Sequence, residues 1–121
     1  MIKDIRKLII KAAYNAGHGH IPSAMSIVEI IIAIHDVKNK DDVFILSKGH
    51  GCLAYYAYLC YKGKIELNDL LNFGKRNSIL GGHPDKNKIK DIYASTGSLG
   101  HGLPIAVGTA LARTIKKLPG R

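Results

Sequence analysis

The sequence has no apolar run long enough to cross a bilayer. The aliphatic run Ile27 to Ile34 is interrupted by Glu29 and falls far short of the roughly 20 residues that a spanning helix needs. The N-terminus, Met1-Ile2-Lys3-Asp4-Ile5-Arg6, lacks the unbroken apolar segment and small-residue cleavage site of a secretory signal. The chain is therefore expected to be soluble, intracellular and cytoplasmic, with no membrane partner. Cysteine is scarce: Cys52 and Cys60 stand eight residues apart in one expected helix, too far along its axis to bond each other, and form no CxxC motif. Both are read as reduced core residues. Acidic side chains are few, 9 Asp and Glu against 18 Lys and Arg, for a formal charge of +9. That excess favours anionic partners, but the lysines are scattered and come with no aromatic-rich stacking segment or recognised binding motif. Nucleic acid is not the expected partner. Repeats, low-complexity tracts and linkers are also missing, and 121 residues with 46% hydrophobic content make one domain or part of a larger one.

Glycine next to histidine is what the chain has in quantity. Of six histidines, His18, His20, His50, His83 and His101 each adjoin a glycine, and His35 alone does not. Glycine admits backbone angles closed to other residues and lets another chain or ligand approach the main chain, while imidazole donates, accepts or carries a proton near neutral pH. Four such places, Gly17-His18-Gly19-His20, Gly49-His50-Gly51, Gly82-His83-Pro84 and Gly100-His101-Gly102, suggest loop tips converging on one ligand. Glycine and histidine are also ordinary turn residues.

The spacing of Ile5, Leu8, Ile9, Ala12, Ala13 and Ala16 predicts an amphipathic helix ending at the first Gly-His cluster. Ser26-Ile27-Val28-Glu29 has the form of a capping box, predicting a second helix through about His35. Val43-Phe44-Ile45-Leu46 reads as a buried parallel strand, and Ser47-Lys48-Gly49-His50-Gly51 leaves it. A helix from Cys52 to Tyr61, ended near Gly63, precedes a shorter one over Leu67 to Phe73, capped by Asn68 or its neighbours. Asn77 to Lys90 is loop-like, Tyr93-Ala94-Ser95 is a second short strand, and Leu103 to Lys117 is helical, with Pro104 in its first turn and Lys116-Lys117 at its negative end. Helices alternating with short strands predict α/β architecture with the glycine loops at strand-to-helix turns.

Single motifs decide little. Gly97-Ser98-Leu99-Gly100-His101-Gly102 is GxxGxG rather than the dinucleotide fingerprint, and no Walker A lysine accompanies it. A glycine loop opening a helix still offers amides and a positive helix end to an anion. His18 and His20 have no nearby Asp, Glu or Cys to complete a zinc set, so no metal ligands are assigned. His35, amid isoleucines at a helix end, is read as structural. Ser47 and His50 are not assigned as nucleophile and base, because such pairs are recognised by geometry.

Taken together and in order, four segments are specific. Gly19-His20-Ile21-Pro22-Ser23-Ala24-Met25-Ser26, Phe44-Ile45-Leu46-Ser47-Lys48-Gly49-His50-Gly51, Gly81-Gly82-His83-Pro84-Asp85 and Ser95-Thr96-Gly97-Ser98-Leu99-Gly100-His101-Gly102 resemble the N-terminal part of transketolases. The resemblance covers nearly the whole chain and is strongest to the N-terminal subunit of split transketolase-like proteins. It implies part of a thiamine-diphosphate-binding fold, helices with a few short parallel strands, with residues 1–121 an incomplete N-terminal portion. It also implies transfer of a two-carbon ketol unit between sugars, which the cofactor makes chemically possible while the protein positions and polarises. Carried over by motif, His20 contacts substrate hydroxyls and assists proton transfer, and His83 holds the donor's terminal hydroxyl. His50 lies by the cofactor diphosphate, the backbone of Gly97, Ser98 and Leu99 holds the aminopyrimidine region, and His101 is a further candidate.

The sequence departs from the family pattern at Ile21, where proline is common, and at His101, where glutamine is common. It also contains no Gly-Asp-Gly, the motif that in transketolases helps hold the magnesium bridging the diphosphate. Magnesium needs an octahedral oxygen set, so its ligands are expected outside these residues, as is the glutamate that activates the thiamine ring. The expected partners are a sugar or sugar phosphate and the remaining transketolase half or C-terminal subunit. Alone, the chain is expected to lack ketol transfer. A reading from another class is a noncatalytic remnant serving as an anion-binding or interaction module; a basic nucleic-acid-binding protein is a third.

Overall fold

Nearly every side chain of one ten-residue helix is buried, and the rest of the chain is arranged around it. The computed structural model describes residues Met1–Arg121 and contains α1 (Ile2–Ala16), α2 (Ile21–Met25), α3 (Val28–Val37), α4 (Cys52–Tyr61), α5 (Leu67–Leu71) and α6 (Gly102–Ile115), with a single 3-10 turn over Gly49–Gly51. From Cys52 to Leu59 no residue of α4 is more than 6% exposed, which explains a composition with no polar face. Ile5, Ile9, Ala12 and Ala13 form the buried stripe of α1 that packs on it, each large side chain contributing about 1.5–3 kcal/mol by leaving water. Ala24 of α2, Val28, Ile31 and Ile32 of α3, Leu70 of α5, and Ile65, Phe73, Leu80, Ile89 and Ile92 from the loops complete the core. No helix is long and apolar enough to cross a membrane.

The helix bounds at α1, α4 and α6 follow the sequence pattern closely. Helix α1 ends where Gly17 takes φ 70°, a left-handed cap that glycine adopts without steric cost. Helix α6 ends differently: Lys117, at φ 52°, is the left-handed residue, and Leu118 N–H donates to Arg113 O at 2.9 Å.

Three expectations are corrected. The first concerns the fold class: the chain has no β-strand, so neither an α/β sheet nor short parallel strands are present. Val43 to Leu46 lies outside regular secondary structure, with Val43 N–H donating to Arg121 O at 2.8 Å and Leu46 O accepting from Thr96 Oγ1 at 2.6 Å. A strand is defined by its ladder, and no neighbouring segment supplies one. Tyr93 and Ala94 form a bend.

The second correction is the cap. Ser26 is the C-cap that follows α2, with helical angles φ −72° and ψ −10°, so its hydroxyl reaches back to Ser23 O at 3.0 Å instead of forward. Capping requires non-helical angles at that residue. Helix α3 begins after Ile27, and Glu29 pairs with Arg6 at 2.6 Å. Third, α5 covers only Leu67–Leu71 and is preceded by Glu66, with no side-chain cap from Asn68.

Candidate cofactor-binding cleft

Helix α4 fixes the loops that carry the histidines. Cys52 Sγ donates to Gly82 O at 3.1 Å, Tyr56 OH to His83 O at 2.8 Å, and Tyr55 OH to Asp91 O at 3.0 Å. Three side chains from one buried helix thus pin the backbone of the 81–91 loop. Burial pushes the Cys52 thiol up to about 12, so at neutral pH it is a hydrogen-bonding core group and not a thiolate nucleophile.

The glycines are close-approach points between these loops. A Cβ on Gly49 would lie 2.9 Å from Gly97 N and from the Thr96 carbonyl group. One on Gly97 would lie 3.1 Å from the His83 ring, and one on Gly102 would overlap Ser47. The 47–51 turn, the 95–102 loop and the His83 loop therefore press closely on one another, an approach that only glycine permits.

Three imidazoles stand in series on this frame. The His20 and His50 ring centroids are 5.6 Å apart, and those of His50 and His83 are 4.9 Å apart, both nearly edge to face. His20 ends the first glycine loop as the N-cap of α2, where Nδ1 accepts from Ser23 N–H at 3.3 Å. Its neutral ring thus carries the proton on Nε2. Beside this row an open cleft of about 570 Å³ is lined by His50, His83, Thr96, Gly97, Ser98 and His101, together with Ser95 and Ile105. Helix α6 begins at this wall, with its unpaired amides and positive dipole end.

The cleft thus brings together His50, His83, Gly97, Ser98 and His101, with His20 against His50. Leu99 is 69% exposed and does not line it. His18 lies apart, its ring 5.3 Å from Phe73. His35 lies among Phe44, Tyr55 and Tyr58, with ring separations of 4.9, 5.4 and 4.7 Å. Ser95, Thr96 and Ile105 were not singled out by sequence; the first two belong to the Ser95-Thr96-Gly97 motif, which was the available signal.

Residues 1–118 match the sequence profile described as "Transketolase, thiamine diphosphate binding domain". The chain belongs to the transketolase family. It is 38% identical to a subunit of the apulose-4-phosphate transketolase of Actinobacillus succinogenes, over 88% of this chain and 42% of that one. It is 39% identical to 6-deoxy-6-sulfo-D-fructose transketolase subunit SqwG of Clostridium sp. strain MSTE9, over 95% and 46%. A Pichia stipitis transketolase structure, in complex with sedoheptulose-7-phosphate, superposes with a TM-score of 0.80 at 29% identity, covering 93% of this chain and 18% of that one. The chain thus spans less than half the length of these relatives.

The donors present suit an organic diphosphate better than its usual metal. Hydroxyls, imidazoles and amides line the cleft, and its size lies in the range of small-molecule sites. Magnesium requires several oxygen ligands, yet no Asp or Glu lines the cleft and no group of three His, Cys, Asp or Glu side chains is placed to hold a metal. These residues do not make a magnesium site.

Proposed function

We propose that the chain supplies one wall of a thiamine diphosphate site in a transketolase-type enzyme, and that the complementing part of the enzyme, the remaining transketolase half or a C-terminal subunit, supplies the metal ligands and the opposite wall. The observation that carries this reading is the His20, His50 and His83 row running along the Gly97 to His101 wall. When bound, thiamine diphosphate supplies the carbanion chemistry of ketol transfer. His50 and His101 face its diphosphate end, where imidazole and α6 amides offset negative charge. The backbone of Gly97, Ser98 and Leu99 holds the ring region; a main-chain role is compatible with the exposure of the Leu99 side chain. His20, donating from Nε2, binds a substrate hydroxyl and moves a proton there. His83 holds the terminal hydroxyl of the donor sugar, a phosphorylated or otherwise anionic sugar in keeping with the positive charge of the chain.

The need for a complementing polypeptide rests on α6. Leu103, Val107, Leu111 and Ile115 recur every four residues along it and are 68%, 59%, 59% and 72% exposed, and Gly102 is its one buried residue. An unbroken apolar stripe of this kind is an interaction face. Beside it, an apolar groove runs between Ile34, Val43, Phe44 and Ala110. The remainder of the domain and a partner chain are suited to bury both, removing that surface from water.

Calorimetric titration of thiamine diphosphate tests the reading. With magnesium and the complementing polypeptide present, saturable binding is expected, and His50→Ala weakens it about tenfold or more. Binding of equal strength to the complementing polypeptide by itself would overturn the assignment of the cleft to this chain.

A further inference from the structure

Four lysines from three separate stretches of the sequence come together in space. Lys38 follows α3, Lys62 and Lys64 follow α4, and Lys90 comes from the loop after Leu80; all four line one concavity of about 520 Å³. It shares no lining residue with the histidine cleft. Aromatic rings make its wall: Phe44 and Tyr55 pack at 5.0 Å, His35 and Tyr58 at 4.7 Å, and Tyr93, half exposed, also lines it.

The charges at this concavity do not cancel. Its two carboxylates are engaged: Asp91 pairs with Lys64 at 3.8 Å, and Asp42 takes the Arg121 backbone N–H at 2.7 Å and its guanidinium at 3.5 Å. Lys38, Lys62 and Lys90 have no carboxylate within 4.0 Å. The Lys62 ammonium stands 5.6 Å from the Tyr58 ring centroid, which holds a cation beside an aromatic face. Tyr55 OH donates to Asp91 O, so its ring is fixed in the wall.

We propose that this second cavity binds a small anion bearing a flat aromatic ring, of the mononucleotide class, with the ring against half-exposed Tyr93 and the partly exposed Phe44 and the phosphates among Lys38, Lys62 and Lys90. Aromatic surface gives the ring a stacking partner, and uncompensated ammonium groups next to it neutralise phosphate. A concavity of this volume admits one small molecule. It makes the site one for a free nucleotide, separate from the cofactor cleft.

The test is calorimetric titration of the 121-residue chain with ADP, compared with adenosine and inorganic pyrophosphate. One-to-one ADP binding is expected, about tenfold or more tighter than either fragment, because ring and phosphate are both used. The exposed-lysine variant Lys62→Ala/Lys90→Ala, with an unchanged circular dichroism spectrum, lowers ADP affinity about tenfold or more, and His50→Ala leaves it unchanged. Pyrophosphate binding as tightly as ADP would reduce the cavity to a diffuse positive patch and overturn the proposal. Loss of ADP binding through His50→Ala but not through the lysines would place the nucleotide in the histidine cleft, also overturning it. A single-stranded oligonucleotide that binds there more tightly than ADP would make the face a nucleic-acid surface and overturn it as well.

Discussion

The rings of His50 and His83 meet edge to face, 4.9 Å between centroids at an interplanar angle of 86°. One comes from the 3-10 turn ahead of α4 and the other from a loop whose carbonyls are held by Cys52 and Tyr56 of that same helix. The helix therefore sets both rings at once, and a change in how it packs moves the cleft as a unit.

Backbone contact between the loops makes Gly49 a sensitive position. In Gly49→Ala the new methyl meets the backbone of Thr96 and Gly97 at 2.9 Å, and backbone cannot swing aside as a flexible side chain does. The expected loss is about 1–3 kcal/mol in urea unfolding. Gly108→Ala is the contrasting variant: it sits within α6 with nothing inside 4 Å. It gains about 0.5–1 kcal/mol from helix propensity.

The pH dependence of stability follows from His35. Burial among Phe44, Tyr55 and Tyr58 depresses its pKa below 6.5, with Lys38 adding to the shift and the Ile31 carbonyl, Asp36 and Asp91 opposing it. The unfolded ring takes up its proton first as pH falls, so the stability present above 6.5 is lost as pH drops through the folded value. Urea midpoints measured between about pH 7.5 and about pH 5.5 should fall. His35→Gln, neutral throughout, should remove the larger part of that slope.

The exposed stripe of α6 should control association. Val107→Lys and Leu111→Lys place charge where two apolar side chains, each 59% exposed, await cover. Sedimentation with the complementing polypeptide should show affinity lowered about tenfold or more, at unchanged helix content. Undiminished association would move the interface elsewhere.

Within the completed enzyme, His83→Ala should lower turnover about 10²-fold or more while thiamine diphosphate affinity changes little, since its proposed partner is the sugar hydroxyl. His50→Ala should show the reverse emphasis, weakening cofactor binding first. Steady-state kinetics at varied cofactor concentration separates the two.

What could be read in advance was local. The apolar spacing of Ile5, Ile9 and Ala12 and the uniform apolarity of Cys52 to Leu59 are local signals for helix, and both helices formed there. Val43 to Leu46 carries a strand composition, but a strand also needs a neighbouring ladder, and the backbone partner here is the Arg121 carbonyl at Val43. Ser26 spells a helix start, but the α2 turn before it sets its angles and turns its hydroxyl backward. The recurrence of glycine beside histidine pointed to converging loops; that Gly49 abuts Gly97, and Gly97 abuts the His83 ring, is tertiary packing that no spacing encodes. The same holds for the lysines, dispersed in sequence and gathered at one cavity by α3, α4 and the loop carrying Lys90.

The central claim, that these residues form one wall of a thiamine diphosphate site completed by the rest of the enzyme, is tested most directly by reconstitution with a polypeptide that carries that rest. Ketol transfer is measured for the chain, for the complementing polypeptide, and for their mixture, each with thiamine diphosphate and magnesium. The account predicts activity only in the mixture and its loss with His20→Ala. Equal activity in the mixture when His20, His50 and His83 are all replaced by alanine would contradict it.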